Sequence, residues 1–205
     1  MAKGTRRTFL KTSTAGVAAA VVPQAAQALV ATPGATEGPF YPAPDMRFDD
    51  ADNDLVRIEG QVREAGGEII HLTGKVTDGD GNPASGARVE IWQCDAEGRY
   101  LHTGDDRDSP RDSAFQGFGH DVTGKDGQYR FRTIRPVPYP GRAPHIHVKV
   151  LTAKRILTTQ LYRAGEPGNE RDVLYRRLSA PERRTVEMRF ETRDGVPTAV
   201  VHLVV

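Results

Sequence analysis

Four stretches of this chain, IIHLTGKVTD, ARVEIWQCD, GQYRFRTI and HIHVKVLT, alternate β-branched or aromatic residues with polar ones. Turns rich in Gly, Pro or Asp separate them. A two-residue period suits a half-buried strand and conflicts with the 3.6-residue period of a helix, so it commits the chain to strands. The 21 glycines and 14 prolines fit the same plan, because many short strands need many turns. IIHLTGKVTD, the turn GDGNPASG and ARVEIWQCD read as a β-hairpin. GKDGQYRFRTI places Tyr129, Phe131 and Thr133 on one face, and HIHVKVLT with RILTTQLYR reads as another strand pair. The one helical stretch is NERDVLYRRLSAPERR, with Asn169 a candidate cap and Ser179 and Glu182 a capping box for a second short turn. In TVEMRFET, Val186, Met188 and Phe190 alternate as in a half-buried strand; the turn RDGVP and TAVVHLVV then close the chain. The expected fold is all-β: a single β-sandwich with long loops and one or two short helices.

The first residues follow another rule. Arg6 and Arg7 precede Phe9 and Leu10, an alanine-rich apolar run extends from Ala15 to Val22, and the small residues Ala26 and Ala28 follow. This order reads as an export signal over 1–28, too short to anchor stably in a membrane. The arginine pair resembles the twin-arginine address, which implies a periplasmic or secreted protein. Such an address is read on chains already folded, often with a cofactor in place, and so favours a bound metal. Residues 29–65, rich in Pro, Gly and Asp, read as an N-terminal arm, and 66–205 as the sandwich. Cys94 is the only cysteine, so no disulfide forms within the chain, and its strand-like setting suggests a buried, inert thiol. With 28 basic and 27 acidic residues, the charge balance gives no reason to expect nucleic acid or an anionic membrane as partner.

His145 and His147 stand two apart in a strand and present both imidazoles to one face, while Ile146 and Val148 face the other way. Either the histidines decorate a solvent face or they line a metal site. Zinc or ferrous iron would want a carboxylate, a cysteine or a third histidine nearby, and no acidic residue lies within five positions of PHIH. The nearest oxygen donor is Tyr139, and a phenol becomes a good ligand only when a strong Lewis acid displaces its proton. Ferric iron meets that demand, and charge balance then asks for a second tyrosinate.

VEIWQCDAEGRY, FQGFGHDVTGKDGQYRFRTIRPVPYPGRAPHIHVKV and TTQLYR, matching in order over about Gly74 to Tyr162, resemble the intradiol ring-cleavage dioxygenases. Within that family the likeness is greatest to the β-type chains of protocatechuate 3,4-dioxygenases. TEGPFYP, Thr36 to Pro42, resembles the arm that borders the family's active site. The resemblance implies that 66–205 is a catalytic domain with a non-haem Fe(3+) held by Tyr100, Tyr139, His145 and His147. It implies three further roles. Tyr139 is the ligand that substrate displaces, Arg142 stabilises negative charge on the ring-derived intermediate, and Gln160 is a second polar residue of the pocket. The partners implied are a small aromatic diol and O2, and the product is a cis,cis-muconate-type diacid. Only five residues separate Tyr139 from His145, which shortens one wall of the pocket relative to the protocatechuate enzymes. Those enzymes also complete the site with a second, α-type chain. Here the chain's own arm does that job, from the same polypeptide or from a neighbouring copy in a homo-oligomer.

Two rival readings stand beside this one. A secreted transthyretin-like β-sandwich binding module could keep the scaffold without turnover, since KVTDGDGNPASGARVEIW has the strand-turn-strand pattern of such modules. A zinc hydrolase would pair the two histidines with Asp121 or Asp126, neither at a ligand-like spacing. His102, two residues beyond Tyr100, reads as a surface residue close to the site, and His71, His120 and His202 as structural or exposed.

Overall fold

The computed structural model describes residues 29–205. The export signal expected over 1–28 lies outside them. Among the described residues, no helix is long and apolar enough to cross a membrane.

Ten strands follow in order: β1 (Ile69–Thr77), β2 (Arg88–Trp92), β3 (Phe118–Val122), β4 (Gln128–Ile134), β5 (His145–Leu151), β6 (Ile156–Arg163), β7 (Glu187–Met188), β8 (Phe190–Arg193), β9 (Val196–Val200) and β10 (Leu203–Val204). They form two five-stranded sheets. The first runs β4–β1–β9–β8, with β10 beside the end of β1, and the second runs β3–β2–β5–β6–β7. The core lies between them: Ile70, Leu72, Tyr129 and Phe131 come from the first sheet, and Val89, Ile91, Ile146, Val148 and Leu161 from the second. This is the all-β sandwich expected from the alternation.

Several local expectations change. β1 and β2 do not form a hairpin. β1 is an inner strand whose two edges are taken by β4 and by β9, so no edge remains for β2. The turn does fold back locally, with Ala84 N–H donating to Val76 O at 2.9 Å, but the chain then crosses to the other sheet at Gly86, where φ is +71°. The stretch from Asn169 is not one helix. It consists of 3-10 turns at Asn169–Arg171 and Tyr175–Arg177 and then α1 (Ala180–Val186). Asn169 caps nothing; its amide donates to Arg163 O at 2.7 Å. Ser179 and Glu182 form the expected capping box. Val186 ends that helix rather than beginning a strand. The RDGVP turn is a tight hairpin between β8 and β9, with Asp194 and Gly195 both at positive φ, as its two-residue loop demands.

The outward face of the second sheet is not left to solvent. Residues 33–51 run across it, with Ala35 N–H donating to Thr158 O at 2.8 Å and the Thr159 hydroxyl to Pro33 O at 2.8 Å. Lys149 pairs with Glu37 at 2.6 Å, and the Tyr41 hydroxyl donates to Glu90 at 2.6 Å. A second apolar cluster of Trp92, Cys94, Tyr100 and Phe118 therefore forms on the outside of this sheet, under Phe40 and Tyr41 of the arm.

Candidate metal centre

Strand register assembles the site. Trp92, His147 and Gln160 stand opposite one another across β2, β5 and β6, and His145 stands opposite Tyr162 one row on. Residues directly opposite in a ladder point to the same side, so all five share the outward face. Both histidines are buried, at 1% and 3% exposure, because the arm and the loops lie over them. Gly38 of the arm passes so close that a Cβ there would stand 3.5 Å from His147 Cε1, and its φ of +75° also favours glycine.

Tyr139 and Arg142 arrive on one tight turn. Arg142 N–H donates to Tyr139 O at 2.9 Å, with Pro140 and then Gly141, at φ +80°, between them. That is a type II turn written in the sequence YPGR. Tyr100 sits on the long loop after β2, where its N–H donates to a carboxylate oxygen of Asp105 at 2.8 Å. Phe40 stacks on Tyr100 at 4.8 Å, so the arm of the same chain reaches the site.

Four expected side chains meet here. Ring centroids lie 4.7 Å apart for His145 and His147, 5.5 Å for Tyr139 and His145, 5.4 Å for Tyr100 and Tyr139, and 6.0 Å for Tyr100 and His147. His145 Nδ1 lies 2.7 Å from Ala143 O, and a carbonyl only accepts, so Nδ1 carries the proton and Nε2 keeps its lone pair. That lone pair faces His147 Nε2 at 3.1 Å. Burial pushes the His145 pKa down to about 4, aided by the Arg142 charge. Burial, with His145 and Arg142 nearby, likewise holds His147 well below its ordinary range. Both rings are therefore neutral near pH 7. Two neutral nitrogens this close repel unless a proton or a cation stands between their lone pairs.

The phenols fit the same cation. The Tyr100 hydroxyl is buried without a hydrogen-bond partner, and an orphaned polar atom of this kind costs about 1–3 kcal/mol. Burial raises the Tyr100 pKa well above the ordinary tyrosine value. Burial also raises that of Tyr139, against the pull of Arg142. Among the described residues, no group of three or more His, Cys, Asp or Glu gathers anywhere, so no carboxylate or thiol joins the histidine pair. Asp121 and Asp126 instead accept backbone N–H groups of Val122, Arg130 and Gln128. The donor set of two imidazoles and two phenols suits a hard, highly charged ion and leaves zinc short of the third His, Cys or carboxylate it usually takes.

Arg142 and Gln160 join the group. Arg142 Nη1 donates to Tyr139 Oη at 3.2 Å, and Nη2 donates to Gln160 Oε1 and to Tyr162 Oη. Gln160 Nε2 donates to Thr36 O of the arm at 3.1 Å, so this side chain ties the arm to the arginine. His102 is half-buried near Phe40 and accepts from Gly104 N–H at 2.9 Å. His202 accepts from Lys75 N–H at 3.2 Å, far along the first sheet. Cys94 is buried, and burial pushes its thiol up to about 12.

Sequence reasoning missed Trp92, whose indole stacks on the His147 ring at 4.8 Å and 13°, and Asp172, whose carboxylate takes the Arg142 Nε–H at 2.8 Å. Alternation along β2 could have found Trp92, since it shares its strand face with Glu90. Nothing near Asp172 in sequence points to a residue 30 positions earlier.

A family model described as Dioxygenase matches residues 36–198. The chain is 36% identical over 170 residues to the protocatechuate 3,4-dioxygenase beta chain of Burkholderia cepacia, covering 77% of this chain and 71% of that one. It is 32% identical over 165 residues to the hydroxyquinol 1,2-dioxygenase of Nocardioides simplex, 71% of this chain but only 52% of that one, so it spans about half of that relative. Among solved structures, the dioxygenase domain of a dioxygenase carbohydrate-binding protein fusion from Streptomyces sp. SirexAA-E superposes with a TM-score of 0.63 at 28% identity, over 86% of this chain and 98% of that one.

Proposed function

The chain belongs to the intradiol dioxygenase family, and on that premise we propose that it is a non-haem ferric enzyme opening the ring of a catechol-type diol between its hydroxylated carbons. The carbon–carbon bond breaks and both atoms of O2 enter the product, a cis,cis-muconate-type diacid. The four electrons that O2 takes up come from the diol, so no external reductant is needed. The observation that carries this reading is the meeting of two neutral imidazole nitrogens 3.1 Å apart with two phenols, one of them an orphaned buried hydroxyl.

Tyr100, Tyr139, His145 and His147 are the residues that would hold the iron. When bound, ferric iron supplies the Lewis acidity that grips the diol and makes its ring reactive toward O2. Burial does two jobs for the protein. It keeps both histidines neutral near pH 7, so that a cation need displace only the proton between their Nε2 atoms, and it keeps both phenols protonated until a strong cation competes for their oxygens. Tyr139 is half-buried while Tyr100 is fully buried, which makes Tyr139 the phenol freer to move aside. As a phenolate it takes the second phenolic proton of the diol. Arg142, with an N–H 3.2 Å from that oxygen, stabilises the negative charge there and on the substrate oxygen. Gly38 and Phe40 cover the imidazole and the inner phenol and limit water.

Oxygen uptake by iron-loaded protein against protocatechuate, catechol, hydroxyquinol and a larger lignin-derived diol tests the reading, with product mass to show the gain of two oxygen atoms. Phenolate-to-iron charge transfer should colour the loaded protein burgundy. A colourless iron-loaded sample without uptake would return the chain to the binding-module reading. The proposal extends to export. Replacing both Arg6 and Arg7 by lysine in the full-length chain should retain the protein in the cytoplasm on cell fractionation, and unchanged fractionation would discard the twin-arginine address.

A further inference from the structure

Arg142 could meet Tyr139 and Gln160 only if something fixes its long side chain. Its guanidinium is planar and rigid, but the stem that carries it is rich in rotamers. Asp172 supplies the fixing. Its carboxylate is buried, at 1% exposure, and one oxygen, Oδ2, accepts both Arg142 Nε–H at 2.8 Å and Ala143 N–H at 3.0 Å. It therefore grips one side chain and the next peptide together, at the step between the Tyr139–Arg142 turn and β5. The other oxygen, Oδ1, accepts Leu174 N–H at 2.9 Å and Tyr175 N–H at 3.2 Å, which immobilises the carboxylate on its own 3-10 turn. Tyr175 locks that turn in place, with its ring against Tyr162 at 5.1 Å and its hydroxyl donating to Glu187 at 2.6 Å.

The two oxygens divide the work. An Asn or Ser at 172 would serve the 3-10 turn as well as Asp does, since one acceptor suffices for Leu174 and Tyr175. Only a carboxylate offers a second acceptor, and that oxygen faces Arg142. With Nε held by Asp172, the two terminal nitrogens can point nowhere but toward Tyr139, Gln160 and Tyr162.

We propose that Asp172 is a positioning residue for the ring-opening reaction: through Oδ2 it aims the Arg142 guanidinium at Tyr139 and the bound diol. The inference rests on the dioxygenase reading above and goes beyond it to a residue outside the pocket. Asp172→Asn keeps the shape and the Oδ1 acceptor but turns an amide toward two N–H donors. Asp172→Ser keeps an acceptor for the turn and removes the arginine's partner without repulsion.

The test is a double-mutant cycle with Arg142→Ala on iron-loaded protein, with kcat and KM read beside thermal unfolding and anaerobic binding of 4-nitrocatechol. In the wild-type background, each Asp172 variant should lower kcat by roughly 10²-fold, the scale of a misplaced catalytic group. KM should stay within about threefold, since a correctly aimed guanidinium acts chiefly on the charge that develops in the transition state. In the Arg142→Ala background the same variants should cost less than about threefold, because the group they aim is gone. Equal losses in both backgrounds, following the fall in unfolding temperature, would overturn the proposal and leave Asp172 a fold residue. Two variants guard against one that fails to fold. Wild-type protein that binds 4-nitrocatechol but opens no diol would sink the dioxygenase reading instead, which keeps the two failures apart.

Discussion

The two sheets use the same strand chemistry and treat their outward faces in opposite ways. On the first sheet, β4 alternates buried Tyr129, Phe131 and Thr133 with exposed Gln128 and Arg130. On the second, β5 is buried through His145, Ile146, His147 and Val148 without a break. Ile146 and Val148 meet the core, while His147 lies under Gly38 of the arm and His145 lies between Tyr139 and Tyr162. A sheet with one solvated face spends its polar residues on water. A sheet covered on both sides must give every polar residue a partner; here the two imidazoles meet each other at 3.1 Å, and His147 Nδ1 is left without one.

The sharpest way to break this comparison is to cut the two faces of β5 separately. His147→Ala should lower iron affinity by well over ~10²-fold, bleach the charge-transfer colour and abolish oxygen uptake. Its unfolding temperature without metal should change little or rise, because a buried group with an orphaned nitrogen is removed. Metal titration beside calorimetry checks both. Ile146→Ala, one residue away on the core face, should do the reverse: about 2–5 kcal/mol off unfolding stability with the donor set intact. If both variants lose stability equally and both keep iron, the two faces are not divided as described.

A smaller contrast compares covered and open outer faces. Phe40→Ala removes the stack on Tyr100 and should cost about 1 kcal/mol in stability, with weaker diol binding. Arg130→Ala, on the open face of β4, should stay within about 0.5 kcal/mol and leave turnover unchanged. Denaturant unfolding of the pair measures the difference.

The smallest effect is confined to acid. Burial works against ionisation of Asp112 on the loop between β2 and β3, but the N–H groups of Gly66 and Ala114 and nearby arginines outweigh it and hold its carboxyl below 3.8. A lowered folded pKa means that its stabilising contribution is complete above 3.8 and fades as pH falls through the folded value. Asp112→Asn should therefore flatten part of the stability loss below about pH 4. Stability curves between pH 2 and 6 that superpose for wild type and Asp112→Asn would remove this account.

Much of the molecule was legible in sequence because its information is local. Period-two alternation gave the strands, and SAPE spelled the capping box of α1. The misreading of β1 and β2 as a hairpin has an equally physical cause. A turn motif reports that the chain reverses, but pairing depends on which edges remain free, and both edges of β1 go to strands far along the chain. Asp172 was out of reach for the same reason, since its partner is set by the docking of a 3-10 turn and not by spacing.

By itself, then, the sequence determined the all-β plan and set both imidazoles on one side of β5, because side-chain alternation is a property of the extended backbone alone. Its motif resemblance named the two phenols before any geometry was known. Only the tertiary structure decided that this side is covered by the chain's own arm and that an aspartate from a distant turn grips the arginine. Burial and long-range hydrogen bonds belong to the packing of elements against one another, and no local pattern encodes them.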